Sequence, residues 1–98
     1  MAKKKADNWY NDDMQQLFAG ILALRTKQEA KKFFRDLCTL NELDAMAQRW
    51  SAVQALTRGE SYREISKKTG LSTATVTRIA HWLNNGEGGY DLILKRLK

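Results

Sequence analysis

The stretch from Ser61 to Leu83, SYREISKKTGLSTATVTRIAHWL, constrains the fold of this chain more than any other. Ser61 and Glu64 have the spacing of a capping box, in which two side chains satisfy backbone N–H groups at a helix start. Gly70 stands where the chain must reverse, a position that favours positive φ. Ser72 is a good N-cap for a second helix. The stretch therefore predicts a helix-turn-helix at residues 61–83.

The apolar residues of this stretch support the same interpretation. Ile65 supplies the buried contact of the first helix. Val76, Ile79, Ala80 and Leu83 recur at three- and four-residue steps, which gives the second helix one apolar stripe. Isoleucine at position 79 is the ordinary core residue at that place in a helix-turn-helix.

The remainder of the chain also has helical periodicity. Two helices are expected at 11–25 and 26–38, the second beginning with a capping box of Thr26 and Glu29. A longer helix follows, and Tyr90 to Lys98 forms a last amphipathic helix. The residues expected on the inward face of the longer helix are Leu43, Met46, Ala47, Trp50, Val53 and Leu56. The chain has no proline and no clear alternating strand pattern. We predict one all-α domain of about six helices over residues 1–98, with 1–10 as a loose basic tail.

The amino-acid composition indicates which kind of partner and which cellular compartment to expect. Lys and Arg number 17 against 11 acidic residues, and the net charge of +6 favours a polyanionic partner. Part of this charge, at Lys3, Lys4 and Lys5, falls in the tail. The single cysteine, Cys38, excludes an intramolecular disulfide and fits a reducing cytoplasm. The sequence contains no apolar run long enough to indicate a membrane span or a signal peptide. A cytoplasmic location is therefore expected.

The first two predicted helices carry more apolar surface than a three-helix DNA-reading unit needs to close its core. An exposed apolar stripe of that size indicates an interaction site. The economical solution is an intertwined homodimer, in which these helices pack against those of a second subunit. A two-fold dimer also suits palindromic DNA half-sites.

Polar residues at the helix-turn-helix indicate double-stranded DNA as the partner. Threonine hydroxyls can bond phosphates or base edges, and Ala and Thr methyl groups can meet the thymine methyl. Basic side chains on the first helix can hold phosphates and position the domain. Taken singly, each of these residues is equally well explained as part of a solvated face, but as a group they favour DNA binding. The predicted DNA contacts are Arg63, Lys67, Lys68, Ser72, Thr73, Ala74, Thr75 and Thr77.

Nothing in the sequence indicates an enzyme, a metal site or a cofactor. His81 is the only histidine and has no acid or cysteine cluster around it in sequence. Cys38 follows an apolar stripe and is best explained as a packing residue. Gly86, Gly88 and Gly89 lack the strand-then-helix context of a phosphate-binding loop.

Read from Thr39 to Leu83, the sequence resembles the bacterial Trp repressor family. The matching segments are TLNELDAMAQRW, RGE at 58–60, RE at 63–64 and ATVTR at 74–78. The resemblance implies an intertwined all-helical dimer that represses transcription at palindromic operators. It also implies DNA contacts at Arg63, Thr73, Ala74, Thr75 and Thr77. Ser66 stands where the family has a DNA-facing lysine, so Lys67 or Lys68 is expected to take over that contact.

The family's corepressor is tryptophan, and the resemblance places Thr39, Arg49 and Arg78 at positions that line its pocket. Directly after the pocket arginine the family has a glycine, against which the indole lies, whereas this chain has Ile79. The isoleucine side chain takes the space that an indole needs, and overpacking a fitted site typically costs about 1–3 kcal/mol. We therefore expect a relative that does not sense tryptophan.

These observations favour a dimeric, sequence-specific transcriptional regulator, a repressor by resemblance. One alternative is a helical protein-interaction module that docks a partner such as polymerase. Another is a regulator gated by a different small anionic ligand, held by Arg49 and Arg78. Helix-surface ion pairing is the simpler explanation of those two arginines. Salt dependence separates DNA binding from apolar docking, because only phosphate-driven binding weakens steeply with salt.

Overall fold

The structure, a computed structural model, describes residues 8–98 and contains six α-helices and no strand in that range. The helices are α1 (Asp12–Leu22), α2 (Lys27–Leu37), α3 (Leu40–Thr57), α4 (Tyr62–Thr69), α5 (Thr73–Asn85) and α6 (Gly89–Arg96). The all-α prediction is confirmed. Most of the predicted basic tail, residues 1–7 with Lys3, Lys4 and Lys5, lies outside the described residues. None of the six helices is long and apolar enough to cross a membrane.

The chain divides into two compact units, Met1–Thr39 and Leu40–Lys98. The prediction of a single domain over 1–98 stays a prediction. In the first unit, which is described from residue 8, neither α1 nor α2 contains a buried residue. Leu22 is 84% exposed and Leu37 is 49% exposed. The surplus apolar surface expected from the sequence is therefore present and uncovered within the single chain.

The capping box predicted at the start of α2 forms only in part. Thr26 Oγ1 accepts from the Glu29 N–H at 3.1 Å, as expected. Glu29 Oε1, however, accepts from the Arg25 N–H at 2.8 Å, one residue before the cap. Both polar ends of the motif are satisfied, but the glutamate stabilises the chain entering the helix rather than the cap residue itself.

The second unit holds the buried core, where α3, α4 and α5 pack against one another. The core side chains are Ala52, Val53, Ala55, Ile65, Val76 and Ile79, with Leu71, Leu83, Tyr90 and Leu94 partly buried against them. On α3 the core begins only at Ala52, and Met46 and Ala47 are exposed, contrary to their predicted inward positions. The buried residues of α3 all lie in its C-terminal half, in the part of the helix that joins the core cluster with residues of α4 and α5.

The helix-turn-helix forms with the predicted caps. Ser61 Oγ accepts from the Glu64 N–H at 3.1 Å, and Glu64 Oε1 accepts from the Ser61 N–H at 3.0 Å. Gly70 ends α4 with a φ of 80°, the left-handed region that a residue with a Cβ adopts only with strain. Helix α5 starts after Ser72 and continues to Asn85, two residues beyond the predicted end at Leu83.

Candidate DNA-binding surface

The turn between α4 and α5 is fixed by side-chain hydroxyls. Ser66 Oγ donates to the Leu71 carbonyl at 2.5 Å. Thr69 Oγ1 donates to the Ile65 carbonyl at 2.7 Å and accepts from the Leu71 N–H at 3.2 Å. Ser66 is half-buried, and its hydroxyl bonds within the turn. These bonds hold the start of α5 at a set position relative to α4.

The first turn of α5 forms an exposed, donor-rich end of the helix. Ser72 Oγ accepts from the Thr75 N–H at 3.1 Å and donates to Thr75 Oγ1 at 3.0 Å. Thr73 and Ala74 are exposed. N–H groups of a first helical turn have no partner in the preceding turn and carry the positive end of the helix dipole. This end of α5 therefore suits an acceptor-rich or anionic partner.

Thr75 and Thr77 differ in what they can offer a partner. Thr77 is exposed, and its hydroxyl donates to the Thr73 carbonyl at 2.9 Å, which leaves only lone pairs and a methyl group outward. Thr75 is half-buried, and its Oγ1 accepts from Ser72 Oγ and from the Arg78 guanidinium at 3.2 Å. The Thr75 hydroxyl is therefore already engaged by the cap residue Ser72 and by Arg78.

The basic residues on and just before α4 form two groups, those paired with Glu60 and those without an ion pair. Lys68 Nζ lies 2.9 Å from Glu60 Oε1, and Arg58 Nε lies 2.8 Å from Glu60 Oε2. Lys68 and Arg58 together hold the pKa of the Glu60 carboxyl below its usual range, chiefly through hydrogen bonds. Lys67 and Arg63 are exposed, and within residues 8–98 no carboxylate forms an ion pair with either. Lys67 and Arg63 are thus the unpaired cations of α4 among the predicted contacts.

The four predicted ligand-pocket residues lie in different settings. Thr39 is the last residue of the first unit. Arg49 on α3 and Arg78 on α5 are exposed, and Ile79 is fully buried, with 0% of its surface exposed. Neither arginine forms an ion pair in the described part of the chain, so helix-surface ion pairing does not account for them there. Arg78 instead bonds to Thr75.

Arg78, which the sequence places in a possible ligand pocket, also bonds along its own helix: its guanidinium leans back along α5 to Thr75, three residues earlier. The signal was available in the spacing, since residues three apart on a helix are neighbours and long side chains point toward the helix N-terminus.

His81 and Cys38 are the only histidine and the only cysteine of the sequence. His81 is exposed, and Asn85 Nδ2 donates to its carbonyl at 3.3 Å. Cys38 is a half-buried free thiol. Over residues 8–98, the structure contains no group of three or more His, Cys, Asp or Glu side chains able to hold a metal ion.

Comparison with known proteins connects this surface to one family. Residues 12–98 match the model of the Trp repressor protein family. The chain is 40% identical to the uncharacterized protein YerC of Bacillus subtilis, over 94% of this chain and 88% of YerC. It is 32% identical to a Trp operon repressor homolog of Chlamydia trachomatis serovar L2, over 78% and 86% of the two chains. A crystal structure of a TrpR-like protein from Eubacterium eligens superposes with a TM-score of 0.87 at 40% identity, covering 93% and 94%.

Proposed function

The chain belongs to the Trp repressor family, and from this premise we propose that it is a sequence-specific DNA-binding transcriptional regulator, acting as a repressor and without catalytic activity. The observation that carries the proposal is the exposed first turn of α5, held by the Ser66–Leu71 bond and bordered by unpaired cations on α4. A recognition helix contacts base edges with its N-terminal residues while the preceding helix contacts the DNA backbone. The predicted cytoplasmic location follows from this function.

In this proposal the side chains have distinct roles. Arg63 and Lys67 contact phosphates, since both are exposed and unpaired among the described residues. Thr77 contacts a base, because its outward lone pairs have nothing to accept from a phosphate but can accept from the amino group of adenine or cytosine. Ala74 and the exposed methyl of Thr77 can meet a thymine methyl group. Ser72 acts mainly as the helix cap that positions Thr75.

We further propose that the protein binds DNA as a homodimer at palindromic sites. The support is that α1 and α2 bury no residue within the single chain, while Leu22, Leu37 and Met46 remain exposed. Exposed large apolar side chains on helices that bury nothing of their own indicate an interaction surface. A two-fold dimer covers the same surface on both subunits and presents two α5 helices to two half-sites.

Regulation by tryptophan is not part of the proposal. Ile79 is fully enclosed among core side chains, including Val53, Ile65 and Val76. A residue packed in this way leaves no room for an indole without displacing core atoms. With the recognition helix already fixed against the core, DNA binding requires no corepressor.

Selection of bound sequences from a random duplex pool tests the function directly, followed by affinity measurements on the selected and scrambled duplexes at several salt concentrations. We expect one palindromic consensus, and a log K against log salt slope of about −0.9 for each phosphate neutralised. No enrichment, together with a flat salt dependence, would contradict DNA binding and favour a protein-docking module. Enrichment only when a small anion is added would favour ligand gating.

A further inference from the structure

Helix α2, in the first unit, carries a stripe of cations along one side. Lys27, Lys31 and Arg35 repeat at four-residue steps, and Lys32 lies beside them. With 3.6 residues per turn, these four side chains occupy one sector of about 140° around the helix axis. All four are exposed. We call this sector the α2 basic face.

The other side of α2 is apolar and partly covered. Phe33 and Phe34 are half-buried, and the Phe33 ring lies so close to α1 that a Cβ placed on Gly20 would be 3.4 Å from Phe33 Cζ. Leu37, on the same apolar side, is exposed and belongs to the surface proposed for the dimer. The α2 basic face is therefore turned away from α1 and from that apolar surface.

None of the cations of the α2 basic face is neutralised by a carboxylate among residues 8–98, where both ion pairs involve Glu60. Arg35 has a structural role, because its Nη1 donates to the Cys38 carbonyl at the end of the helix, at 3.1 Å. Glu29, the acid of the first turn, instead accepts from the Arg25 N–H at 2.8 Å. The three lysines thus keep their full charge toward solvent.

These lysines also stand where they weaken the helix that carries them. Lys27 is the first residue of α2, and a cation there opposes the positive end of the helix dipole. Lys31 lies four residues from Lys27 and four from Arg35, and like charges at that spacing repel. Natural chains break such local rules chiefly at functional sites. The arrangement therefore indicates an anionic partner.

The form of the α2 basic face indicates which anion it suits. Cations in a row along one helix are typical of nucleic-acid binding, and each DNA strand offers one phosphate per 3.4 Å or so of helix axis. A lipid surface fits less well. A helix that lies on a membrane buries its apolar side among the lipids, whereas Phe33 and Phe34 are already packed within the first unit.

We propose that Lys27, Lys31 and Lys32 bind backbone phosphates of double-stranded DNA, as a contact separate from that of α4 and α5. This inference rests on the proposed DNA-binding function. The lysine ammonium groups donate to phosphate oxygens and displace the counterions condensed on the duplex. Because phosphates are the same in every sequence, the contact adds affinity without adding sequence preference.

Two matched sets of substitutions test the proposal. The α2 triple variant replaces all three lysines by glutamine, which has a similar helix propensity: Lys27→Gln, Lys31→Gln and Lys32→Gln. The control triple variant removes the same charge from exposed positions on and after α6: Lys95→Gln, Arg96→Gln and Lys98→Gln. An arginine triple variant keeps the charge of α2: Lys27→Arg, Lys31→Arg and Lys32→Arg.

Affinity is measured for the unmodified protein and each variant on the selected and the scrambled duplex, at several salt concentrations. Melting temperature and sedimentation velocity verify that each variant keeps its fold and its oligomeric state. If the α2 triple variant loses either, Lys31→Gln alone replaces it. That single variant should make the slope of log K against log salt shallower by about 0.9.

For the α2 triple variant we expect a loss of about ten- to a hundredfold on both duplexes at low salt, and a salt slope shallower by roughly 2 to 3. The ratio of the two affinities should stay the same. The arginine triple variant should keep the affinity and the slope of the unmodified protein. The control triple variant should change both quantities far less than the α2 triple variant.

The outcomes separate this inference from the function on which it depends. If the unmodified protein binds no duplex, the proposed function fails, and the inference fails with it. If it binds both duplexes equally, sequence-specific regulation fails, but the expected change of slope would still support the α2 contact. If the α2 and control triple variants match in affinity and slope, only the inference is overturned.

Two further results would also overturn the inference. A loss confined to the selected duplex would show that the lysines act through the sequence-reading surface, since phosphate contacts do not depend on sequence. Co-sedimentation with phosphatidylserine vesicles that requires the three lysines, with unchanged affinity for DNA, would assign the α2 basic face to a lipid surface.

Discussion

The Thr77 hydroxyl donates to the Thr73 carbonyl, one helical turn earlier and 2.9 Å away. This bond uses the only proton of the Thr77 side chain, so the exposed oxygen can act toward a ligand only as an acceptor. Phosphates also offer only acceptors. A side chain restricted in this way distinguishes bases by their amino groups and gains little from the DNA backbone.

Replacement of Thr77 by valine should therefore reduce sequence preference. Thr77→Val keeps the shape and the methyl group but removes the lone pairs. We expect specific affinity to fall by about 1 kcal/mol, roughly fivefold, with little change on a scrambled duplex. Thr77→Ser is the control that retains the acceptor. Fluorescence anisotropy on both duplexes measures the difference, and equal affinities for valine and threonine would show that this oxygen does not read a base.

The two adjacent lysines of α4 should contribute unequally to DNA binding. Lys67 is exposed and free of any ion pair in the described residues, whereas the Lys68 ammonium is bound to Glu60 at 2.9 Å. Lys67→Ala should weaken binding to any duplex and make the salt slope shallower by about 0.9. Lys68→Ala should have a smaller effect on both. Titration of each variant on one duplex at several salt concentrations compares them, and a larger effect at Lys68 would contradict this assignment.

The Glu60 ion pairs should make stability depend on acid pH. The folded state lowers the pKa of this carboxyl, so its stabilising contribution is present above the pKa of the unfolded chain. That contribution is lost as the pH falls through the lowered folded-state pKa. We expect Glu60→Gln to melt at a lower temperature than the unmodified protein at neutral pH, and the two melting temperatures to converge in strong acid.

Glu87→Gln is the matched control for that measurement, because Glu87 is exposed and forms no ion pair within residues 8–98. A constant difference between the Glu60→Gln and unmodified proteins at every pH would count against the electrostatic origin of the effect.

The backbone of the helix-turn-helix was largely predictable from the sequence because its signals are local. The Ser61–Glu64 box, the Gly70 reversal and the Ser72 cap each depend on residues within one turn of each other, and all three formed as expected. The start of α2 shows the limit of such rules, since Glu29 had two nearby N–H groups available and bonded to that of Arg25.

The side-chain partners of the candidate site were much less predictable. The pairing of Glu60 with Lys68 joins residues eight apart, from the loop that precedes α4 to the last turn of that helix. Whether Arg78 would turn toward Thr75 or toward a carboxylate depends on its rotamer and on which neighbours the packing brings near. The exposure of Met46 differs from its predicted inward position for a related reason, because the apolar pattern of α3 shows which face is apolar but not how much of that face is packed.

Self-association should depend on the uncovered apolar face of α2. Leu37 is 49% exposed in the single chain, so Leu37→Glu should leave the single chain folded but weaken the proposed dimer. Gln28→Glu, at an exposed polar position of the same helix, is the matched control. Sedimentation velocity at micromolar concentration should show a dimer for the unmodified protein and the control, and dissociation for Leu37→Glu. A stable, folded monomer of the unmodified protein would overturn the dimer proposal.

Ile79 should prevent tryptophan binding by filling the space that an indole requires. Its side chain is fully buried and belongs to the same core cluster as Val53 and Val76. Truncation of such a residue typically costs about 2–5 kcal/mol for the cavity, and glycine inside a helix adds about 1 kcal/mol. Ile79→Gly should therefore lower the melting temperature markedly, whereas Ile79→Val should cost about 0.5–1.5 kcal/mol.

Titration calorimetry with tryptophan tests the consequence for regulation. For the unmodified protein we expect no saturable heat at millimolar tryptophan, no shift in melting temperature and no change in affinity for the selected duplex. Ile79→Gly opens space beside exposed Arg78, so a weak tryptophan signal in that variant alone, absent in Ile79→Val, would fit the steric argument. A saturable signal at micromolar affinity in the unmodified protein would refute it. The indole would then have to be accommodated without displacing Ile79, and the protein would act as a tryptophan-sensing repressor.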